Sequence, residues 1–310
     1  MTEHLEVHEV GPDRAADVVA VVHAAFGARP RLDPPATATD ETSETAAEAL
    51  GARPGLLATR GGVTVGAMLL QPEGALLRMR RVSVHPEAQG EGVAGALVGR
   101  AERLAAAEGY DGLVLAARAE LPSTVRFWGH LGYDELSRQG PMITLAKALP
   151  VERTTTSPEQ ARALAERLAT VLRAGDLVIL TGDLGAGKTT FTQGVGAGLG
   201  VRGGVTSPTF VISRVHPSLV GGPALVHVDA YRLGGIAELD DLDLDTSLEE
   251  AVTVVEWGEG VAEGLAETRL EVTITRALGD DPEGEDDPRQ LRFTPVGARW
   301  IGAGLHTALA

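Results

Sequence analysis

Apolar residues fall three and four apart at Ala161, Leu164, Leu168 and Leu172, the spacing that gives a helix one apolar stripe. The start of that helix is marked. Ser157 can cap it, Pro158 suits the first helical position, and Gln160 stands where a capping box places an amide. Residues 176–181 follow as an almost unbroken apolar run, the pattern of a strand buried on both faces, and 190–199 read as a second helix. Two further runs each end in an acid: 224–228 lead into Asp229, and 252–255 lead into Glu256. Residues 270–276 and 290–294 predict strands joined by the acidic loop 279–288, which reads, like 238–245, as solvated surface.

The earlier part of the chain alternates in the same way. It predicts a strand at 5–10, a helix at 15–26, a hairpin of 56–60 and 63–71 about Gly61-Gly62, and a strand at 76–84. A helix at 92–108, a strand at 112–117 and a short helix at 123–131 follow. Residues 29–48, rich in Pro, Thr, Ala and acids, predict a mobile loop. Residues 149–156 are polar and without periodicity, which predicts a junction near 151. With 310 residues, more than one core usually spans, the expected architecture is two α/β domains, 1–150 and 151–310.

Charge narrows the partners. The formal net charge of −16 divides as −5 over 1–150 (14 basic, 19 acidic) and −11 over 151–310 (13 basic, 24 acidic). Neither half carries the clustered cations that neutralise a phosphate backbone, so direct DNA binding is not expected and any RNA would be held by another protein. The absence of cysteine excludes disulfides and thiolate chemistry and fits a reducing cytoplasm. Met1 is followed by acidic and polar residues, and no uncharged apolar run approaches the roughly 20 residues that span a bilayer, so a soluble cytoplasmic protein is expected.

The chemistry concentrates at 182–189, Gly-Asp-Leu-Gly-Ala-Gly-Lys-Thr, which fits G-x-x-x-x-G-K-[ST] between a strand and a helix. Backbone N–H groups of Asp183, Leu184, Gly185, Ala186, Gly187, Lys188, Thr189 and Thr190 can turn toward one anion, Lys188 brings an ammonium to the outer phosphates, and the Thr189 hydroxyl can reach Mg²⁺. In open parallel sheets ligands gather at the carboxyl ends of strands, which makes Asp229 and Glu256 candidates for holding the metal or orienting water. Thr209, in Ser207-Pro208-Thr209-Phe210, can offer a hydroxyl to metal or phosphate as switch loops do.

Gly182 to Thr190, Ser207 to Phe210, His227-Val228-Asp229-Ala230-Tyr231-Arg232-Leu233 and Glu256-Trp257-Gly258-Glu259 together closely resemble the TsaE family, over essentially all of 152–302. The resemblance implies an ATPase needed for threonylcarbamoyladenosine formation at position 37 of tRNA, acting with TsaD and TsaB. It further implies that Lys188 and Thr189 bind ATP and Mg²⁺, that Glu256 is a second metal ligand, that Thr209 belongs to a switch and that Asp229 is needed for hydrolysis. Arg202, Arg214 and Arg232 are the only arginines between the loop and Glu256, so slow hydrolysis stimulated by a partner is expected. Arg232 reads equally as an ion-pair partner of Asp229. A small-molecule kinase would want an arginine-rich lid, a GTPase an Asn-Lys-x-Asp motif, and neither is seen. A nucleotide-gated scaffold is the non-enzymatic alternative.

Gln89-Gly90-Glu91-Gly92-Val93-Ala94 follows a strand and opens a helix, and Arg126-Phe127-Trp128-Gly129-His130-Leu131-Gly132-Tyr133 closes the domain. In both, residues 5–146 resemble the GNAT acetyltransferases. The resemblance implies that Gln89, Gly90, Gly92 and Ala94 hold the diphosphate of acetyl-coenzyme A and that backbone near Val82 and Val84 holds its pantetheine arm. Many members carry a tyrosine acid where this chain has Trp128, whose indole N–H lacks acid strength, and no general base is evident. A GNAT-shaped module without activity is the alternative. The acetyl acceptor, communication between the halves and the oligomeric state are not fixed by the residues.

Overall fold

The apolar runs become the strands of two separate sheets in a computed structural model of the chain, which describes residues 4–30, 32–208, 212–231, 249–260, 262–276 and 288–310. The chain divides into two units, Met1–Lys147 and Ala148–Ala310, each holding one seven-stranded sheet among the described residues. Among these residues no helix is long and apolar enough to cross a membrane.

The first unit runs β1 (Leu5–Val10), α1 (Ala15–Gly27), α2 (Ser43–Ala52), β2 (Gly55–Arg60), β3 (Val63–Glu73), β4 (Leu76–Val84), α3 (Val93–Ala107), β5 (Gly112–Arg118), α4 (Pro122–His130), β6 (Asp134–Gln139) and β7 (Met142–Ala148). Its sheet order is β1-β2-β3-β4-β5-β7-β6. Residues 29–48, expected to be a mobile loop, instead carry a 3₁₀ turn (Thr37–Asp40) and more than half of α2. Thr42 and Thr45 form a reciprocal capping box there, and Arg118 donates to the carbonyls of Asp33 and Pro34 at 2.8 and 2.7 Å. Local hydrogen bonding supplies the order that apolar periodicity does not.

Two features of this sheet shape its ligand edge. Strands β4 and β5 are parallel partners only over Leu76–Arg78 with Gly112–Val114, so the second half of β4 departs from its neighbour. Helix α3 packs close on β3 at Gly66, where a Cβ would stand 2.7 Å from Val93 and 3.0 Å from Leu97. That contact fixes the first turn of α3 above the strand.

The second unit runs β8 (Val151–Thr155), α5 (Pro158–Ala169), β9 (Leu177–Thr181), α6 (Lys188–Gly198), β10 (Ser213–His216), β11 (Ala224–Asp229), β12 (Ala251–Glu256), β13 (Arg269–Arg276), β14 (Arg289–Val296) and α7 (Leu305–Leu309). The sheet order β10-β11-β12-β9-β13-β14-β8 puts β9 at the centre, and β11, β12, β9 and β13 are parallel. Residues expected to form a junction are therefore partly strand: β8 pairs antiparallel with β14, Val151 opposite Phe293. Helix α5 stops at Ala169, although Leu172 still joins the core. Ser157 caps it as expected, its Oγ accepting from the Gln160 N–H at 3.3 Å, but Gln160 Oε1 accepts from the Thr156 N–H at 2.8 Å, one residue before the N-cap, in place of the reciprocal bond of a capping box.

Helices α5 and α6 cover the same sheet face, in one cluster with Leu164, Leu168, Phe191 and Val195. Their approach depends on Gly194 and Gly198, one turn apart. A Cβ on Gly194 would collide with the Arg162 carbonyl oxygen and stand 2.7 Å from Ala165 Cβ, and one on Gly198 would stand 2.6 Å from Ala169 Cβ. A Gly194→Ala substitution gains helix propensity but overpacks against backbone that cannot yield, so it should destabilise the second unit by about 1–3 kcal/mol. Chemical denaturation followed by tryptophan emission measures this, and a variant as stable as the parent would refute the close-approach argument.

Candidate functional site

Strand β9 ends at Thr181, and the chain then has to turn sharply beneath β13. Gly182 adopts φ 150° because a Cβ there would collide with the Ile274 carbonyl oxygen, and Gly187 adopts φ 108° as the N-cap of α6. The Ala186 N–H donates to the Asp183 carbonyl at 3.1 Å, closing the loop. The first turn of α6 therefore presents N–H groups with no intrahelical acceptor, at the positive end of the helix, with no acidic residue among them. Leu184 stands at the loop tip, 86% exposed.

Lys188 is buried, and its Nζ donates to the carbonyls of Gly182 and Asp183 at 2.7 and 3.0 Å. The ammonium also lies 3.4 Å from the ring centroid of Trp257, a residue in the left-handed region at φ 62°, and the Tyr231 ring packs 5.1 Å from the same indole. Burial lowers the Lys188 pKa, opposed by the charges of Glu256, Asp229 and Asp183.

The two strand-end acids share one register. Asp229 of β11 pairs with Glu256 of β12, and Glu256 pairs in turn with Leu180 just before the loop. Glu256 is buried, yet both its oxygens are occupied: Oε2 accepts from Thr189 Oγ1 at 2.9 Å, and Oε1 from Thr192 Oγ1 at 3.2 Å and His227 Nε2 at 2.7 Å. Asp229 accepts from Ser207 Oγ at 2.9 Å and from the Tyr231 N–H at 3.1 Å. Lys188, Thr189, Asp229 and Glu256 thus meet at the carboxyl ends of the interior parallel strands. Thr209, Phe210, Arg232 and Leu233 lie outside the described residues, as do the acidic stretches 238–245 and 279–287.

Two neighbours of the loop were given no role by the sequence: His227, although it opens the 227–233 motif, and Arg289, which lies in none. His227 lies within the apolar run of β11, two residues before Asp229 and so on the same strand face. Arg289 opens β14, more than a hundred residues beyond the loop, and its Nε donates to the Ala186 carbonyl at 3.1 Å. Beside it a cleft of about 120 Å³ is lined by Ser157, Pro158, Ala161, Thr190, Arg289 and Leu291. It adjoins the loop at Gly185 and Gly187.

In the first unit Gly90 and Gly92 both take φ 81°, and Gly92 is the N-cap of α3, again without an acid in the first turn. Gln89 and Ala94 flank this turn, and Val82 and Val84 lie on the part of β4 that has left β5. Arg60 reaches across from β2 to pair with Glu91 in the same loop. Trp128 is buried, edge-on to Phe127 and Tyr133 at 5.1 and 5.0 Å. Tyr133 is buried too and donates to Glu102 at 3.3 Å. Burial, then the charge and hydrogen bond of Glu102, push its pKa above the ordinary phenol value, which suits packing rather than acid catalysis.

Buried Glu41 accepts from Arg81 Nε and Thr45 Oγ1, both at 2.7 Å. Burial acts to raise its pKa, but the hydrogen bonds from Arg81 and Thr45 and the charges of Arg81 and Arg80 hold it below the ordinary carboxylate value. It is therefore a carboxylate at neutral pH, already occupied, and a weak base.

Central parallel strands, a glycine-rich turn and a helix N-terminus define the second unit as a phosphate-loop α/β domain. Residues 155–282 match the family model described as threonylcarbamoyl adenosine biosynthesis protein TsaE, and 24–133 match the acetyltransferase (GNAT) family. The tRNA threonylcarbamoyladenosine biosynthesis protein TsaE of Streptomyces coelicolor is 63% identical over 145 residues, spanning 46% of this chain and 96% of that protein. Its Bacillus subtilis counterpart is 41% identical over 147 residues, spanning 47% and 86%. A crystal structure of PaiA N-acetyltransferase from Thermoplasma acidophilum in complex with coenzyme A aligns with 47% of this chain and 99% of its own, at 13% identity and a TM-score of 0.42. The chain belongs to the TsaE family, and its residues 24–133 additionally match the GNAT family model.

The Glu41 environment makes a pH prediction. Its folded-state pKa is depressed, so its contribution to stability is present above the unfolded carboxylate value, about 4.3, and is lost as pH falls through the folded value. Glu41→Gln should therefore melt below the parent at neutral pH and converge with it in acid. Parallel curves of melting temperature against pH would contradict the assignment.

Proposed function

We propose that residues 151–310 bind and hydrolyse Mg-ATP as the TsaE component of tRNA threonylcarbamoyladenosine formation at position 37, with TsaD and TsaB as cytoplasmic partners that hold the tRNA. One observation carries this reading: the Thr189 hydroxyl, at a helix N-terminus opened by Gly187, is 2.9 Å from a buried carboxylate at the end of the neighbouring strand. Membership of the TsaE family, whose members are ATPases of this pathway, supports it.

The donor chemistry fits Mg²⁺, since hydroxyl and carboxylate oxygens are hard ligands. Among the described residues no group of three or more His, Cys, Asp or Glu could hold a metal alone, so phosphate and water would complete its shell. Thr189 and Glu256 would hold the ion, which when bound neutralises charge developing on the phosphates. Backbone from Asp183 to Thr190 cradles the phosphates, and Lys188 exchanges its two carbonyl acceptors for phosphate oxygens. Asp229 orients the attacking water, and Thr209 joins as a switch residue. The cleft beside Arg289 takes the nucleoside.

Residues 1–150 bind acetyl-coenzyme A in this proposal. Gly90, Gly92 and Ala94 present N–H groups to its diphosphate, Gln89 shapes the turn, and backbone of Val82 and Val84 pairs with the pantetheine arm along the departed half of β4. Acetyl transfer to an amine is the resulting activity.

Two experiments test these readings separately. Lys188→Ala should lower ATP turnover by at least about 10²-fold, and TsaD with TsaB should stimulate the parent protein; turnover unaltered by either change would leave only a scaffold. Gly92→Val forces a β-branched residue to a positive φ and should weaken acetyl-coenzyme A binding about tenfold by calorimetry. No binding heat with the parent protein would remove the acetyltransferase reading.

A further inference from the structure

We propose that His227 is a positioning residue that fixes which oxygen of Glu256 faces the metal site, an inference that rests on the Mg-nucleotide reading above. Glu256 is 2% exposed, and a carboxylate buried so deeply needs donors on both oxygens. The donors are divided unequally. Oε2 meets the loop hydroxyl of Thr189 alone, whereas Oε1 is held from the interior by His227 and Thr192.

The interior pair is not symmetrical. Thr192 has one hydroxyl proton, shared between Oε1 at 3.2 Å and the Lys188 carbonyl at 3.0 Å, while His227 Nε2 stands 2.7 Å from Oε1. An ionised carboxylate oxygen can only accept, so Nε2 carries the proton of this bond. His227 is itself fully buried, and its Nδ1 has no hydrogen-bond partner among the described residues. An imidazole placed for packing alone would not leave that nitrogen unsatisfied in the core. Among the described residues its one hydrogen bond is with Glu256.

The consequence reaches Thr189. A hydroxyl that donates its proton to Oε2 turns its lone pairs away from the carboxylate, toward the space where a cation would sit. If Oε1 were released, the carboxylate could rotate and the hydroxyl would lose its fixed direction. The β11–β12 register provides the geometry, since His227 pairs with Val254 and reaches Glu256 diagonally, two residues farther along.

Three substitutions separate positioning from packing. Gln places an amide donor where the imidazole has Nε2, Asn is too short to do so, and Leu fills volume without a donor. The readouts are Mn²⁺ affinity in the presence of ADP, by electron paramagnetic resonance, and ADP affinity in EDTA. His227→Gln should bind Mn²⁺ within about threefold of the parent, while His227→Asn and His227→Leu lose about tenfold or more, with metal-free ADP affinity unchanged. If Leu fails to fold, the Gln and Asn pair decides. Equal Mn²⁺ affinity in Asn and the parent, Gln no better than Asn, or a matching loss of metal-free ADP binding overturns the proposal. A parent protein that binds no Mn-ADP would instead sink the nucleotide reading itself.

Discussion

A carboxylate with almost no exposure, placed directly beneath a helix N-terminus, constrains the rest of the second unit. Glu256 cannot be buried without donors, and its three donors come from two separate stretches of chain: Thr189 and Thr192 on α6, and His227 on β11. Satisfying it fixes α6 against β11 and β12. Removing any donor would leave charge uncompensated in a medium where that is costly. The loop at 182–187 is thereby anchored at its helical end, while the collision that a Cβ on Gly182 would make with the Ile274 carbonyl fixes its strand end.

The two units arrive at comparable local solutions from unrelated surroundings. In each, a glycine with positive φ caps a helix whose first turn lacks acids, and the preceding strand delivers the loop. The difference lies in what faces the turn. In the second unit a lysine, two strand-end acids and a threonine hydroxyl converge. In the first, the neighbouring polar side chains are engaged with one another, as in the Arg60–Glu91 and Arg81–Glu41 pairs. Backbone does most of the work available there, consistent with binding a long carrier along an open strand.

The sheet centre was readable because strands buried on both faces leave unbroken apolar runs, and β9, β11 and β12 are such strands. The acids closing two of those runs were readable for the same reason: a charge stops an apolar run. What escaped depended on distance or on local hydrogen bonding. Strand β8 reads Val-Glu-Arg-Thr-Thr and is a strand only because β14 lies beside it, some 140 residues later. Arg289 reaches the loop from the first position of that same β14. His227 stood in the 227–233 motif without a role, because its contact with Glu256 exists only once β12 is set alongside. Helix α2 was mistaken for loop because threonine caps, not apolar periodicity, establish its start.

The glycines at 194 and 198 have an effect beyond packing density. They bring α6 so near α5 that sliding one helix along the other would drive backbone into side chain. Ser157, Pro158 and Ala161 sit at the start of one helix, Lys188 and Thr189 at the start of the other. The separation of those two helix starts is thus set by the contact between the helices themselves, so the width of the cleft beside Arg289 is a property of two glycines a helix-length away.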